Sequence, residues 1–323
     1  MPMRNPIAQQ FTSHGRHPFV GLLIILLAIL PSGSRADPHP QEILRGAGTD
    51  SMRFQPIKVG ARSLYYLCRG RGSPTVIAEG GPGFSFSEAF ARPEPNGWQI
   101  VFIRVIERTR MCVYDRANVG LSDKAPTPRT VLDAVKDLHA LIHAARIESP
   151  LLLVGQSAGG LNVRLYASHY PKEVGGMVLI DSSHPDQSIR FKAALPPESP
   201  GEWWELPGLR NGPPPSFSSE GLDFPASYAQ VRAAGSLGDI PLVILTRDPN
   251  WAGDPGTPVE LQPVLEGVWQ QLQRDLLTLS KNSRQIVAVG SGHAIQFDNP
   301  QLVIDSISEV MSQARQNKGF VRR

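Results

Sequence analysis

Short apolar runs alternate with stretches of helical periodicity along most of the chain. Within residues 130–147, for example, Val131, Val135, Leu138 and Ile142 recur on one face of a helix. The apolar runs predict strands at 52–59, 62–68, 74–79, 110–114, 151–154, 174–180, 242–245 and 285–289, and the periodic stretches predict helices at 98–107, 130–147, 158–169, 260–280 and 301–313. This alternation indicates an α/β fold with a mostly parallel central sheet, an antiparallel edge at its start, and helices on both faces.

Residues 182–238 interrupt this alternation. They are rich in proline and include Trp203, Trp204 and Phe224, but they show little periodicity. Because the strand pattern resumes afterwards, we predict an inserted lid within one domain of residues 52–315.

The N-terminal segment has the three parts of a secretory signal peptide. Basic residues precede an apolar run, 19–30, which is shorter than the roughly 20 residues that a membrane-spanning helix needs. Ser34 and Ala36 then supply the small residues of a cleavage site. We expect residues 1–36 to be a signal peptide and 37–51 a linker, and the mature protein to be secreted or periplasmic without a stable membrane span. An uncleaved anchor is the alternative.

Composition and charge add two constraints. With 323 residues, 41% of them hydrophobic, the chain can form one large core. Its 32 basic and 29 acidic residues are mixed, for a net charge of +3, so charge gives no reason to expect a nucleic-acid partner. In an exported protein an even pair of cysteines, here Cys68 and Cys112, suggests a disulfide, and two buried free thiols are the alternative.

A serine lies in a predicted turn that is very tight, between a strand and a helix. Gly155-Gln156-Ser157-Ala158-Gly159 matches the pattern G-x-S-x-G between a predicted strand and a predicted helix. Such a turn strains the serine backbone, and larger residues in place of either glycine would clash. The hydroxyl then projects beside a helix N-terminus, whose free N–H groups can bind an oxyanion. Ser157 is therefore the candidate nucleophile, and a plain glycine–serine turn is the alternative.

A serine nucleophile needs a base held close to it. His293 is favoured, because it follows the last predicted strand in a small-residue loop, Gly290-Ser291-Gly292, that lets an imidazole reach over the sheet edge. His184, soon after an earlier strand, is kept as an alternative. His139 and His143 stand four residues apart on a helix and could in principle bind a metal. With no third ligand evident, we expect them to be solvent-exposed and predict no metal site.

The base needs a carboxylate that orients it and stabilises its protonated form. Asp181 follows the strand at 174–180 and Asp248 follows the strand at 242–245, and both give the chain order serine, aspartate, histidine. Asp254, in a Gly/Pro loop, is a third candidate. The sequence leaves the choice between the first two open.

Two backbone N–H groups would bind the oxyanion. The residue after the nucleophile, Ala158, supplies one, and the loop Gly80-Gly81-Pro82-Gly83 after an early strand supplies the other. Pro82 has no N–H, so Gly81 is the candidate in that loop. This chemistry needs neither a metal nor an organic cofactor.

Together these residues resemble the α/β-hydrolase superfamily over roughly residues 52–315. Three motifs carry the resemblance, namely EGGPG at 79–83, YDRANVGLSD at 114–123 and VGQSAGG at 154–160, and GSGH at 290–293 supports them. The EGGPG loop is similar to the HGGPG loop of proline-iminopeptidase-like relatives, with Glu79 in place of the histidine.

The resemblance implies roles for individual residues. It places the nucleophile at Ser157, the histidine at His293 and one oxyanion donor at Gly81. The acid of the superfamily usually follows a strand that matches the one before Asp248, but some members place it one strand earlier, which matches Asp181.

The resemblance also bears on the cysteines and on the reaction. The strand order of the superfamily puts the strand at 62–68 beside the strand at 110–114, which brings Cys68 and Cys112 together. Epoxide hydrolases and dehalogenases of the superfamily use a nucleophilic aspartate, and Ser157 at that position argues against both.

The function we predict is that of an exported serine hydrolase. It cleaves an ester-type bond of a small-molecule substrate through an acyl-enzyme, and the aromatic lid suggests an apolar acyl or alcohol group. A peptidase, lactonase, acyltransferase or lyase on the same scaffold is the chemical alternative, and a non-catalytic binding protein of this fold is another. The sequence predicts neither the substrate nor the oligomeric state.

Overall fold

The computed structural model describes residues 52–195, 219–251 and 259–316. The predicted signal peptide and linker lie outside the described residues, as do Asp254 and the middle of the predicted lid, including Trp203. Within the described stretches, no helix is both long and apolar enough to cross a membrane.

Eight strands of the described chain form one central sheet. They are β1 (Gln55–Val59), β2 (Arg62–Arg69), β3 (Thr75–Glu79), β4 (Met111–Asp115), β5 (Leu151–Gln156), β6 (Val174–Ile180), β7 (Leu242–Arg247) and β8 (Ser283–Ala288). Their order across the sheet is β1-β2-β4-β3-β5-β6-β7-β8. β2 is antiparallel to both of its neighbours, and from β4 onward neighbouring strands are parallel. The predicted α/β class with a mostly parallel sheet and an antiparallel edge is confirmed.

Helices surround this sheet. The described helices are α1 (Phe86–Phe90), α2 (Gly97–Ile106), α3 (Val131–Ala144), α4 (Gly159–His169), α5 (Gln187–Ala194), α6 (Phe224–Arg232), α7 (Gln262–Asp275), α8 (Ile295–Asp298) and α9 (Pro300–Gln316). The periodicity of the sequence misses α1, α5, α6 and α8, because helices of nine residues or fewer show too little of a repeat. α5 and α6 lie inside the predicted lid, whose role as a lid stays a prediction.

The core lies on both faces of the sheet. Along β5, Leu151 and Leu153 belong to one apolar cluster, and Leu152 and Val154 belong to the cluster on the other face. All four are fully buried. A parallel strand that is covered on both faces therefore has an unbroken apolar sequence. β5 ends at the edge of the sheet, where the turn with Ser157 follows it.

A disulfide joins the antiparallel part of the sheet. Cys68 on β2 lies opposite Cys112 on β4 in the strand register, and their Cα atoms are 4.1 Å apart. The predicted disulfide is thus confirmed. The chain between the two cysteines contains β3 and the EGGPG loop.

Candidate active site

Ser157 occupies a strained turn between β5 and α4. Its φ is 53°, in the left-handed region that L-residues rarely adopt. A Cβ added at Gly155 would lie 2.6 Å from Val163 Cγ2, and one added at Gly159 would lie 2.5 Å from the Glu79 carbonyl oxygen. No side chain fits at either position without a shift of its neighbours, so both glycines of the motif are needed for the chain to make this turn.

Asp181 and His293 are in direct polar contact. Asp181 directly follows β6 and is fully buried, and its Oδ2 lies 2.6 Å from His293 Nδ1. Its Oδ1 accepts hydrogen bonds from the Trp269 indole N–H at 2.8 Å and from the Arg247 backbone N–H at 3.1 Å. Because a carboxylate is an acceptor, Nδ1 of His293 carries the hydrogen, and Nε2 is left free to accept a proton.

The other candidate acid, Asp248, contacts the backbone of the histidine loop. Its Oδ2 accepts the Gly290 N–H at 2.7 Å, and its own N–H donates to the Ser291 carbonyl at 2.9 Å. The N–H groups of Gly290 and Asn250 hold the pKa of Asp248 below its usual value. Among the described residues, no hydrogen bond links Asp248 to the imidazole of His293. The structure therefore brings Asp181 to the histidine and leaves Asp248 supporting its loop.

The alternative base, His184, is buried. Burial and the nearby cation of Arg164 lower the pKa of His184 to about 4. Its Nδ1 accepts the backbone N–H of Asp186 at 3.1 Å. His184 is not among the described residues that line the pocket beside Ser157.

A pocket of about 270 Å³ opens at this edge of the sheet. Ser157 and His293 both line it, as do the aromatic rings of Phe84 and Phe297. Within the described chain, Ser157 Oγ makes no hydrogen bond to the imidazole, and such catalytic bonds often tighten only when a substrate binds. The pocket thus combines a hydroxyl, an imidazole and an apolar wall.

The proposed oxyanion donor Gly81 already has a partner. Its N–H donates to Oε1 of Gln156 at 3.0 Å, and Nε2 of the same amide lies 3.4 Å from the His293 carbonyl oxygen. Gln156 is buried and lines the pocket. No pattern in the sequence assigned a role to Gln156, because the residue before the nucleophile is variable in the G-x-S-x-G pattern.

A buried ionic cluster supports the loop that carries Gly81. Arg116 donates from Nη1 to Glu79 at 2.7 Å and from Nε to Glu220 at 2.6 Å. The same guanidinium donates to the carbonyl oxygens of Gly80 at 3.1 Å and Gly81 at 2.6 Å. All three charged side chains are at most 6% exposed. Arg116 therefore fixes the carbonyl groups on either side of the Gly81 N–H.

Further contacts tie this ionic cluster to its surroundings. Glu220 also accepts the Gly83 N–H at 3.0 Å, and the Tyr114 hydroxyl donates to Glu79. Burial of Arg116 alone would lower its pKa, but Glu220 and Glu79 raise it well above the ordinary value. Sequence reasoning missed this cluster. In the sequence, the only indication of the cluster was Glu79, which stands where similar loops carry histidine.

His139 and His143 are residues of α3. They lie near the end of α4 that is distant from Ser157, next to the 3-10 turn Pro171–Glu173. Both were predicted to be solvent-exposed, with no third ligand. That prediction is wrong for His139, which is partly buried, and for the third ligand, because Glu173 lies beside both imidazoles.

Comparison with known proteins agrees with the fold and the motifs. The family model for the alpha/beta hydrolase fold matches residues 76–239, which contain Ser157 and Asp181. The uncharacterised protein YqjL of Bacillus subtilis (strain 168) is 28% identical over 250 residues, which cover 77% of this chain and 87% of that protein. The cis-3-alkyl-4-alkyloxetan-2-one decarboxylase of Shewanella oneidensis is 26% identical over 123 residues, which cover 37% of this chain and 35% of that protein.

Solved structures share the same architecture. The alpha/beta hydrolase domain-containing protein 10 from mouse is similar with a TM-score of 0.55 at 18% identity, and the match covers 81% of this chain and 98% of that chain. A similarity at this identity establishes the fold alone.

Proposed function

Because the chain belongs to the alpha/beta hydrolase fold family, we propose that it is a serine hydrolase that cleaves an ester-type bond of a small-molecule substrate. The proposal rests on the contact between buried Asp181 and His293 at a pocket that Ser157 also lines. A nucleophile, a base and an orienting carboxylate gathered at one pocket are the groups that acyl transfer requires.

In the first half of the reaction, Ser157 Oγ attacks the carbonyl carbon of the ester and its proton passes to His293 Nε2. Asp181 holds the hydrogen of Nδ1, which keeps Nε2 available and stabilises the imidazolium that forms. The bond to the alcohol oxygen then breaks, and Nε2 returns the proton to the departing alcohol. The acyl group stays on Ser157 as an ester.

In the second half, water replaces the alcohol. His293 Nε2 accepts a proton from the water as its oxygen attacks the acyl carbon, and the bond to Ser157 Oγ breaks. The proton then passes from Nε2 to Oγ, which releases the carboxylic acid and restores the serine. The same imidazole therefore serves as base and acid in each half.

The N–H groups of Gly81 and Ala158 bind the oxyanion in this mechanism. To reach the Gly81 N–H, the substrate oxygen must displace Oε1 of Gln156. Arg116 is a positioning residue, because it holds the carbonyl groups of the loop without lining the pocket. Because Arg116 holds the loop before the substrate arrives, the amide of Gln156 is the group that has to move when the oxyanion takes the Gly81 N–H.

The aromatic side chains of the pocket suggest which kind of ester it binds. The rings of Phe84 and Phe297 favour an apolar chain on the carbonyl side or the alcohol side of the ester. The name of the decarboxylase relative includes oxetan-2-one, which is a four-membered cyclic ester. A β-lactone therefore belongs in the substrate panel, beside short and longer p-nitrophenyl esters and N-terminal-proline peptides.

The proposal is tested with a fluorophosphonate probe and with p-nitrophenyl acetate. We expect the wild-type chain to be labelled at Ser157 and to hydrolyse the ester, and Ser157→Ala to lose labelling and at least about 10⁴-fold in kcat/KM. Ser312→Ala, on the exposed face of α9, is the matched control and keeps both. Circular dichroism checks that Ser157→Ala is folded.

Two results would contradict the proposal. Wild-type turnover in Ser157→Ala would remove the serine from the reaction. No labelling and no turnover of any panel member by the wild-type chain would favour the non-catalytic binding protein.

A further inference from the structure

We infer that His139, His143 and Glu173 form a Zn²⁺ site that the sequence did not reveal. His139 Nε2 lies 2.9 Å from His143 Nε2 and 3.2 Å from Glu173 Oε1, and His143 Nε2 lies 3.6 Å from the same oxygen. The histidines are one turn apart on α3, and the glutamate comes from the 3-10 turn after α4.

The spacing of these three atoms matches the bond lengths of zinc. Ligands of a tetrahedral Zn²⁺ with bonds of about 2.0–2.1 Å lie about 3.3 Å from one another. The three observed separations bracket that value. Atoms at these separations lie on a circle with a radius of about 1.9 Å, so a point at zinc-bonding distance from all three exists just off their plane.

Hydrogen bonds within the cluster cannot serve both contacts of His139 Nε2. Each Nε2 carries at most one hydrogen, and an ionised carboxylate oxygen carries none. If His139 gives its Nε2 hydrogen to Glu173, its Nε2 cannot also accept one from His143. A cation placed between them accepts a lone pair from each atom at once.

Neighbouring side chains hold two of the ligands in place. The His139 ring stacks on Tyr170, with the ring centroids 3.7 Å apart and an angle of 4° between the planes. The Tyr166 hydroxyl donates to Oε2 of Glu173, which leaves Oε1 for the imidazoles. Residues that orient metal ligands through their remaining atoms are a regular feature of protein metal sites.

The donor set favours zinc among common cations. Two imidazoles and one carboxylate suit Zn²⁺, whereas Mg²⁺ and Ca²⁺ prefer oxygen ligands. Three protein ligands leave a fourth position for water. A bound ion would join the last turn of α3 to the segment that leads into β6, so we expect it to stabilise the fold at the end of α4 opposite the serine.

Zinc binding is measured on untagged full-length protein that has been treated with a chelator and then titrated with ZnCl₂ against a chromogenic chelator. We expect one equivalent of Zn²⁺ per wild-type chain and a rise in Tm. His143→Ala should weaken binding by at least about 100-fold, because a lost ligand costs more than the roughly 10- to 100-fold that follows loss of an orienting residue. Tyr166→Phe should fall within that smaller range.

His169→Ala is the matched control, because His169 is exposed at the end of α4 and outside the three-atom cluster. It should bind zinc like the wild type. His143 is 62% exposed, so His143→Ala should fold with an unchanged metal-free Tm. The inference is overturned if the wild type binds no zinc, if His143→Ala binds as tightly as the wild type, or if His169→Ala loses as much affinity.

Discussion

The two sides of the pocket are held in different ways. On the acid–base side, a fully buried carboxylate meets an imidazole that is 32% exposed, on a loop of small residues. On the oxyanion side, the loop at 79–83 is held by the buried ion pairs of Arg116 with Glu79 and Glu220. The comparison shows that buried ion pairs hold the donor loop, whereas the imidazole on the acid–base side is partly exposed and is held by its contact with Asp181.

The acid–base side gives the largest expected effect. Asp181→Asn removes the acceptor that sets the His293 tautomer, so kcat/KM for p-nitrophenyl acetate should fall by roughly 10⁴-fold. Steady-state kinetics measure the change, with circular dichroism as a check of folding.

Asp248→Asn is the matched control for this experiment. Asparagine still offers an oxygen to the Gly290 N–H, so the loss should stay within about threefold, as for other changes at partly exposed positions. A larger loss in Asp248→Asn than in Asp181→Asn would reverse the assignment of the acid.

The oxyanion side should respond less strongly. Arg116→Lys keeps the charge but offers three donors where the guanidinium makes five hydrogen bonds. We expect kcat to fall by roughly 10- to 100-fold with little change in KM, somewhat less than the loss of an oxyanion donor. Stopped-flow or steady-state kinetics separate the two constants.

Arg62→Lys is the control for replacing the arginine of an ion pair with lysine. Arg62 bonds both oxygens of Asp137 away from the pocket. The Arg62→Lys variant should keep the kcat of the wild type. If Arg116→Lys lowers Tm but leaves kcat intact, the buried cluster supports the fold without positioning the loop.

The smallest expected effect concerns the partner of the Gly81 N–H. Gln156→Ala removes the competing oxygen, so kcat/KM should rise by about fivefold, which corresponds to one hydrogen bond of about 1 kcal/mol. Gln156→Glu should lower kcat/KM by at least about tenfold, because a carboxylate holds the N–H more strongly than an amide does. Changes of the same sign in both variants would refute this competition.

The sequence predicted the sheet, and it singled out Ser157 and His293, which both line the pocket. Strands such as β5 are apolar on both faces, and the crowding around Gly155 and Gly159 leaves a visible motif. The choice between Asp181 and Asp248 could not be made, because they follow β6 and β7, which are neighbours in the sheet and end at the same edge. The partners that distinguish them, Trp269 above all, lie far along the chain.

Contacts between distant segments account for what the sequence did not reveal. Arg116 and Glu220 are 104 residues apart, and Glu220 lies in a stretch with little periodicity. Glu173 reaches His139 and His143 only because α4 and the turn after it bring the chain back beside α3. No local pattern marks such pairs, since their chemistry depends on how the helices pack.

The amide of Gln156 gives the resting protein a form of selectivity. A neutral ester carbonyl is no better an acceptor than the neutral amide oxygen that it must replace, so the exchange gains little when the substrate first enters. An alkoxide accepts more strongly than either, so the exchange becomes favourable only as negative charge builds up. The Gln156 amide therefore leaves the Gly81 N–H to the transition state. It also weakens the binding of the substrate and of the released product.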